Sequence, residues 1–356
     1  MKVLVAPDKF KGSLTAAQAA EAMRLGVLDA DPDAAVTTLS VADGGEGTID
    51  AVVSAGATPH QVDVAGPLGD RVRARFAVRG DTAIVEAAQA CGLALVATPN
   101  AATALAADTR GLAELVRAAA ATGVRQLVLG VGGSASTDGG SGLARGLGAR
   151  LLDAAGRELP PGGGALADLA RLDTSALTLP ALDVQLACDV MAPLLDAAYV
   201  FAAQKGAGPK EVTRLAAGLR RWAEVAGVPN VPGSGAAGGL GAGAIAFLDA
   251  TVVSGVDVVL EVLGFPDAVR DADLVLTGEG SFDVQSLSGK APLGVARAAA
   301  PRPTYLIAGR ATAQTPRFRQ ILTLTDIADP DTAVRDAAAL VRRRAADAVR
   351  AATLSR

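Results

Sequence analysis

At 356 residues, half of them apolar, the chain is long enough for two hydrophobic cores, so two domains are expected. Aromatic residues make up 3% of it and the net charge is −4, which argues against a nucleic-acid partner. No apolar stretch reaches roughly 18 residues and no signal-peptide pattern opens the sequence, so we predict a cytoplasmic protein that does not span a membrane.

Six short apolar runs without strict alternation predict buried parallel strands. Helices are predicted between them, the first beginning at a capping box formed by Thr15 and Gln18. This order predicts a doubly wound, mostly parallel Rossmann-like α/β sheet whose ligand lies at the carboxyl ends of its strands. The predicted strands cover residues 2–6, 36–41, 126–131, 273–276, 304–307 and 321–324, and the clearest helices cover about 15–28, 111–121 and 331–352.

Two long segments interrupt this pattern. The first contains runs at 62–64, 72–78 and 83–85 that predict antiparallel strands, and the second contains a strand at 184–187 and a helix near 210–226. We assign both to one inserted α/β domain and expect the small-molecule site in the cleft between the domains. The predicted boundaries are 1–54, 107–149 and 268–356 for the Rossmann-like domain, and 55–106 and 150–267 for the inserted domain.

The strongest motif, which we call the glycine loop, reads GVGGSASTDGG at residues 130–140. Its glycines let main-chain amides approach an anion, its hydroxyl groups add donors, and a helix expected near Gly142 presents a positive N-terminus. We therefore predict phosphate binding at Gly132, Gly133 and Ser134. The loop also matches a dinucleotide fingerprint weakly, so an NAD(P)-dependent oxidoreductase is an alternative.

Carboxylates follow several of the predicted strands. Asp8, Asp43, Asp189 and Glu279 each lie in such a loop, and Asp283 follows four residues after Glu279. Carboxylate oxygens at the ends of parallel strands are suited to hold Mg²⁺ and an acceptor hydroxyl. A lone carboxylate in a turn is more often a turn former, so the expectation of a site rests on convergence of these loops.

Lysines are few beside many arginines, and most of them fall in glycine-rich loops. Lys11, Lys205 and Lys290 are the clearest cases, and they suggest point-charge contacts to phosphate or carboxylate. Cys91 and Cys188 lack metal-ligand spacing, and the single histidine makes a Ser-His-Asp triad improbable.

Together these motifs resemble the class I glycerate kinase family. The matching segments, in family order, are APDKFK at 6–11, VADGGEGT at 41–48, GPLG at 66–69, TRG at 109–111, the glycine loop, ACDV at 187–190, QKGA at 204–207, GAAGGLG at 235–241, LTGEGSFD at 276–283, QSL at 285–287 and GK at 289–290. The resemblance implies transfer of the ATP γ-phosphoryl group to D-glycerate, giving 2-phosphoglycerate, with ATP and Mg²⁺ as cofactors. It also implies a two-domain fold with one domain inserted.

The resemblance and the loop chemistry together suggest roles for individual residues. We favour Asp189 as the base, across the cleft from the glycine loop, with Asp43 as its rival and Lys11 as a further catalytic residue. The other predicted roles are cofactor binding for Gly132, Gly133, Ser134, Lys290 and Glu279, substrate binding for Lys205, Ser136 and Asp8, and metal binding for Asp283 and Glu279.

Two departures from the family keep alternatives open. The segment 190–203 is shorter than is usual, and Arg310 stands where a small residue is more common. A kinase of another small hydroxy acid, or a non-catalytic sensor with the kinase fold, therefore remains an alternative. The oligomeric state, a homodimer included, is left open.

Overall fold

A computed structural model describes residues 1–288 and 290–354 and divides into two compact α/β units. Unit 1 comprises Met1–Asp43, Asp50–Gly56 and the chain from Val256 onward, and unit 2 comprises Gly44–Ile49 and Ala57–Gly255. The predicted α/β class with a mostly parallel sheet and a second α/β domain is confirmed.

The strands and helices follow one another along the chain in mixed order. The strands are β1 (Lys2–Val5), β2 (Ala35–Thr38), β3 (Thr58–Ala65), β4 (Arg71–Arg79), β5 (Thr82–Glu86), β6 (Gln126–Gly130), β7 (Arg150–Leu152), β8 (Arg171–Asp173), β9 (Asp183–Ala187), β10 (Thr251–Val253), β11 (Leu274–Phe282), β12 (Thr304–Ala311) and β13 (Gln320–Thr323). The helices are α1 (Ala16–Ala30), α2 (Thr48–Ser54), α3 (Ala88–Cys91), α4 (Ala101–Ala106), α5 (Arg110–Ala120), α6 (Ser141–Gly146), α7 (Ala197–Phe201), α8 (Pro209–Ala226), α9 (Ala236–Leu248), α10 (Gly255–Leu263), α11 (Phe265–Arg270), α12 (Ala291–Ala299), α13 (Pro330–Arg335) and α14 (Ala337–Leu354).

Unit 1 contains a parallel five-stranded sheet in the order β13-β12-β11-β1-β2. The chain extends the sheet to one side of β1 with β2 and to the other side with β11, β12 and β13. The order in which strands are added therefore changes direction between β1 and β11. Such a topological switch point is where open α/β sheets bind ligands. The carboxyl ends of β1 and β11 are therefore the expected ligand position in this unit.

Helices α1 and α14 cover one face of this sheet. The predicted capping box is present, because the Thr15 side chain accepts from the Gln18 amide and the Gln18 side chain accepts from the Thr15 amide. Gly26 lets α14 approach closely, since a Cβ at this position would lie 2.0 Å from the carbonyl oxygen of Arg342. The last helix, predicted as continuous, is divided because Asp336 adopts a non-helical conformation between α13 and α14.

Unit 2 contains a six-stranded sheet in the order β10-β9-β6-β5-β4-β3, and β7 and β8 form a separate small ladder. The strands β3, β4 and β5 pair antiparallel, as predicted, whereas β5, β6, β9 and β10 are parallel. Its apolar core includes Trp222, whose ring is fully buried and whose indole N–H donates to the carbonyl of Gly139 at 2.9 Å.

The predicted domain boundaries are wrong for the segment 107–149. Its strand β6 lies between β5 and β9 of unit 2, not in the sheet of unit 1. The apolar sequence of β6 is compatible with either sheet. A continuous apolar run indicates that both faces of a strand are buried, but it does not show which strands lie next to it. The segment Gly44–Ile49 also belongs to unit 2, and the second boundary falls near Val256 instead of 268.

No helix within the described ranges 1–288 and 290–354 is both long enough and apolar enough to cross a membrane.

Candidate active site

Four charged side chains of unit 1 form what we call the carboxylate cluster: Asp8, Asp43, Glu279 and Lys290. Asp8 follows β1 and Glu279 lies in β11, so both lie at the switch point of the sheet. The amide of Asp8 donates to the carbonyl of Gly278 at 2.8 Å, which holds Asp8 beside the strand that carries Glu279. Electrostatic coupling joins Asp8 to Asp43 and Lys290, and joins Glu279 to Lys290 and Asp8.

Burial changes the acidity of two of these carboxyl groups. Burial first, and the neighbouring Asp43 carboxylate second, raise the pKa of Asp8 from 3.8 to about 7. Burial also raises the pKa of Glu279 from 4.5 to about 7, although a hydrogen bond from Ser286 and the charge of Lys290 oppose this change. Carboxyl groups with a pKa near neutrality are suited to proton transfer and are common at functional sites.

The Glu279 side chain has an acceptor that the described residues leave unused. The residue is 6% exposed, and its Oε1 atom is buried without a hydrogen-bond donor among those residues. A buried carboxylate oxygen is costly unless a donor or a cation binds it, so Glu279 fits the predicted metal role.

The described part of the chain groups no three His, Cys, Asp or Glu side chains that could hold a metal by themselves. Mg²⁺ commonly binds through one or two carboxylates together with substrate phosphates, so a protein cage is not required for it. The second predicted ligand, Asp283, uses one oxygen locally, because its Oδ1 accepts from the amides of Gln285 at 2.9 Å and Ser286 at 3.2 Å. These bonds are typical of a turn former.

Of the two predicted lysines of unit 1, Lys290 belongs to this cluster and Lys11 lies near it. Lys11 is exposed, and its main-chain nitrogen would lie 3.0 Å from a Cβ built at Gly280, so its backbone packs against the strand beyond Glu279. Lys290 immediately precedes α12 and is half-buried. Gly289, the other residue of that predicted motif, lies outside the described residues.

In unit 2 the parallel strands β5, β6 and β9 end side by side. Gly130 of β6 is opposite Glu86 of β5 and Ala187 of β9. The glycine loop and Asp189 therefore follow neighbouring strands at the same edge of one sheet. The prediction that Asp189 lies across a domain cleft from the loop is wrong, because it depended on the mistaken assignment of β6.

The glycine loop presents successive amide groups that donate to nothing in the part of the chain that the structure describes. Gly132 and Gly133 are exposed, whereas the loop from Ser134 onward is buried. The described residues supply no acceptor for the amide N–H groups of Gly132, Gly133 and Ser134. Gly133 has a φ of +72°, which favours glycine. Successive amides in such a turn form an anion-binding concavity, so the loop fits a phosphate group.

Asp138 holds the rest of the glycine loop in place. Its fully buried carboxylate accepts hydrogen bonds from the Thr109 amide at 3.0 Å, the Thr109 hydroxyl at 2.8 Å, the Gly142 amide at 2.9 Å and the Gly140 amide at 3.1 Å. The loop is thereby tied to the first residues of α5 and α6. Sequence analysis did not single out Asp138, although its place within the motif was visible.

The two predicted substrate ligands of unit 2, Ser136 within the glycine loop and Lys205 behind it, are both buried. Ser136 is fully buried, and its hydroxyl has no partner among the residues that the structure describes. Lys205 is 3% exposed, and its ammonium group donates to the Ser136 carbonyl and to the Ser134 hydroxyl at 3.1 Å. Asp189 is half-buried, and its Oδ1 accepts from the Gly255 amide at 3.0 Å.

Sequence analysis also missed Glu86. Its buried carboxylate accepts from the amides of Gly47 at 3.1 Å and Ile49 at 2.8 Å, which fixes the segment Gly44–Ile49 at the edge of the unit 2 sheet. The signal was available, because Glu86 directly follows the apolar run at 83–85. Because the run at 83–85 was predicted to be an antiparallel strand, the residue after it was not considered together with the residues that follow the parallel strands.

The dinucleotide fingerprint lacks its structural context. In that motif a helix begins within the glycine sequence, whereas α6 begins only at Ser141. The oxidoreductase alternative therefore loses its one supporting feature.

Parallel α/β sheets with carboxylates, lysines and free loop amides at their carboxyl edges define an enzyme that binds small anionic ligands. Comparison with known proteins makes this class specific. The model of the glycerate kinase family matches residues 3–353. The chain therefore belongs to the glycerate kinase family, and it is a kinase with a requirement for ATP.

Individual relatives agree with this assignment. The chain is 45% identical over 314 residues to a glycerate kinase of Bacillus subtilis (strain 168), covering 84% of this chain and 82% of that protein. It is 42% identical over 329 residues to a glycerate 2-kinase of Escherichia coli (strain K12), covering 88% and 86%. A crystal structure described as a glycerate kinase 2 from Salmonella typhimurium LT2 superposes with a TM-score of 0.86 at 37% identity, covering 100% of this chain and 99% of that one.

Proposed function

We propose that the protein transfers the γ-phosphoryl group of ATP to the 2-hydroxyl of D-glycerate, forming 2-phosphoglycerate and ADP. The observation that carries the proposal is the run of free amides at Gly132, Gly133 and Ser134, which suits the phosphates of a nucleotide. The glycerate 2-kinase of Escherichia coli, which is 42% identical, supports the acceptor and the position of transfer.

In the proposed reaction the acceptor oxygen forms a bond to the γ-phosphorus while the bond from that phosphorus to the β,γ-bridging oxygen breaks. The hydroxyl proton passes to a carboxylate, and ADP leaves with the bridging oxygen. Such a transition state is loose, so catalysis consists mostly of positioning and charge stabilisation. The lysines Lys11 and Lys290 would then offset the charge of phosphate or carboxylate groups.

We assign the proton acceptor to the pair Asp8 and Asp43 of the carboxylate cluster. The raised pKa of Asp8, about 7, suits a group that must accept a proton near neutral pH. Asp189, the residue favoured by sequence, has an oxygen that accepts from the Gly255 amide at 3.0 Å, and Asp8 has one that accepts from the Lys9 amide at 2.6 Å, so the preference for Asp8 rests on its raised pKa.

Mg²⁺ would be held by Glu279, whose buried Oε1 lacks a partner among the described residues, with the second oxygen of Asp283 as a further ligand. When bound, it would neutralise charge on the nucleotide phosphates. Cytoplasmic localisation stays a prediction from the sequence.

A coupled assay of ADP release tests the proposal directly. With ATP, Mg²⁺ and D-glycerate we expect glycerate-dependent release of ADP, and NMR of the product should show the phosphate on the 2-oxygen. If the protein phosphorylates another small hydroxy acid faster than glycerate, that acid is the acceptor and the proposed substrate is wrong. Tight binding of ATP and glycerate without turnover would identify a sensor and overturn the proposal.

A further inference from the structure

Lys205 is a predicted substrate ligand whose structural environment does not suit contact with a substrate. It ends a short 3-10 turn, Ala203–Lys205, and its side chain points into the interior of unit 2, where it is 3% exposed. The following residue, Gly206, has a φ of +97°, and a Cβ there would lie 2.5 Å from the amide nitrogen of Asn100. The backbone at this point is therefore tightly constrained, and the direction of the Lys205 side chain is constrained with it.

The Lys205 ammonium group connects two parts of unit 2 that are distant in sequence. It donates to the carbonyl of Ser136 and to the hydroxyl of Ser134, and that hydroxyl donates in turn to the carbonyl of Ala237 at 3.0 Å. A Cβ built at Gly238 would lie 3.0 Å from the Lys205 Nζ atom. The ammonium group therefore links the glycine loop to the beginning of α9.

These bonds hold the loop from behind and leave its tip exposed. On the same side, main-chain bonds join the loop to the end of α3, since the Leu93 amide donates to the Gly133 carbonyl and the Ala135 amide donates to the Cys91 carbonyl, both at 2.8 Å. The amides of Gly132 and Gly133 belong to residues exposed to solvent. The interior contacts thus determine where the free amide groups point.

The ammonium group remains mostly charged at neutral pH. Burial lowers the pKa of Lys205 from 10.5 to about 8, and the charge of the Asp138 carboxylate opposes this change. A charged donor forms stronger hydrogen bonds than a neutral one, and with most of its side chain buried it has little access to a solvent-borne ligand.

We propose that Lys205 is a positioning residue, which acts through Ser134 and the Ser136 carbonyl to fix the nucleotide-binding geometry of the glycine loop instead of contacting glycerate. This inference rests on the proposed function, because that proposal places ATP at the glycine loop. It distinguishes a substrate ligand from a positioning residue, which the sequence could not do. A substrate ligand would mainly affect glycerate, whereas a positioning residue of the loop would mainly affect ATP.

The test compares Lys205→Met, which keeps the length of the side chain without its donors, with Lys210→Met, which alters an exposed lysine on α8. We expect Lys205→Met to raise both the KM for ATP and the Kd for a fluorescent ATP analogue about tenfold or more. The KM for glycerate should change less than about twofold. Hydrogen exchange of the Ala135 amide, which donates to the Cys91 carbonyl, should become faster, and Lys210→Met should resemble the unaltered protein in every measurement.

A chemical rescue distinguishes positioning from general stabilisation. In Lys205→Ala, n-propylammonium should restore part of the ATP affinity, whereas tetramethylammonium, which has the charge but no N–H donor, should not. If either Lys205 variant fails to fold, Ser134→Ala removes the hydroxyl that relays the contact and should raise the Kd for the ATP analogue in the same direction.

Two results would overturn the inference. One is a rise in the KM for glycerate with the ATP constants unchanged, which would make Lys205 a substrate ligand. The other is a lower melting temperature with all binding constants unchanged, which would make its role purely structural. The Kd for the ATP analogue is measured without turnover, so an unchanged Kd in folded Lys205→Met protein would overturn the inference even if the unaltered enzyme proves not to phosphorylate glycerate.

Discussion

Units 1 and 2 both present ligand groups at the carboxyl ends of parallel strands, but they use different chemistry. In unit 1 the groups are titratable side chains, and burial has raised the pKa of Asp8 and Glu279 to about 7. In unit 2 the groups are main-chain amides of the glycine loop, and the buried ions Asp138 and Lys205 act on the loop and not on solvent. The carboxyl edge of the unit 1 sheet thus offers groups suited to proton transfer and charge neutralisation. The carboxyl edge of the unit 2 sheet offers main-chain amides held in a fixed position.

The difference teaches how buried charge can serve function in two ways. A buried carboxylate such as Glu279, with one oxygen that meets no donor among the described residues, is destabilising until a ligand satisfies it. A buried carboxylate with four donors, such as Asp138, is satisfied within the protein and stabilises its loop. Substitutions at the two edges should therefore separate effects on catalysis from effects on stability and nucleotide binding.

The largest expected effect is on kcat. Asp8→Asn should lower kcat by about 10²–10⁴-fold, because it removes the proposed proton acceptor. Asp189→Asn should lower kcat less than about tenfold, since asparagine retains an oxygen that can accept from the Gly255 amide. The steady-state rate of ADP release by the two folded variants decides whether Asp8 or Asp189 is the proton acceptor. If Asp189→Asn has the larger loss, the base belongs to unit 2.

The next largest expected effect is a loss of stability caused by a substitution in unit 2. Asp138→Asn should lower the free energy of unfolding by about 2–3 kcal/mol, because a neutral amide replaces a carboxylate that accepts four buried donors. Asp153→Asn is the control, since Asp153 also accepts from two amides, those of Ala155 and Arg157, but in a surface turn. The urea transition should move clearly for Asp138→Asn only, and equal shifts would contradict the distinction.

A third substitution tests the geometry of the glycine loop without changing any charge. Gly133→Val should weaken ATP binding by about tenfold or more, because the side chain blocks close approach of the backbone to phosphate. Gly156→Val provides a matched control, since Gly133 and Gly156 have φ values of +72° and +77° and therefore similar strain. Unchanged ATP affinity in folded Gly133→Val protein would remove the loop from the site.

The smallest expected effect is the pH dependence of stability at the unit 1 edge. The pKa of Asp8 rises from 3.8 to about 7 on folding, so its favourable contribution is complete below about pH 4 and is lost as the pH rises through 7. In metal-free buffer at pH 8, Asp8→Asn should therefore be more stable than the unaltered protein, by about 1–3 kcal/mol. Exposed Asp33 gives the control variant Asp33→Asn. A less stable Asp8→Asn protein at pH 8 would show that burial does not penalise this charge.

Much of the fold followed from local pattern. The apolar runs at 2–6, 273–276 and 304–307 correspond to β1 and to the beginnings of β11 and β12, but β11 continues to Phe282, so Glu279 lies in the strand and not in the loop predicted after it. The partner strands of β6 were not predictable, because its apolar residues suit any sheet that is buried on both faces. That one error moved the glycine loop to the wrong domain and separated it from Asp189.

The sequence by itself determined the family, the order of most elements and the motifs that carry the proposed ligand residues, because short motifs and apolar periodicity depend on neighbouring residues only. Tertiary structure decided what those residues do. It directed the Lys205 ammonium group to the back of the glycine loop, satisfied Asp138 and, within the described ranges 1–288 and 290–354, left one oxygen of Glu279 without a donor. Burial and hydrogen bonding arise from contacts between distant segments, so no local pattern could specify them.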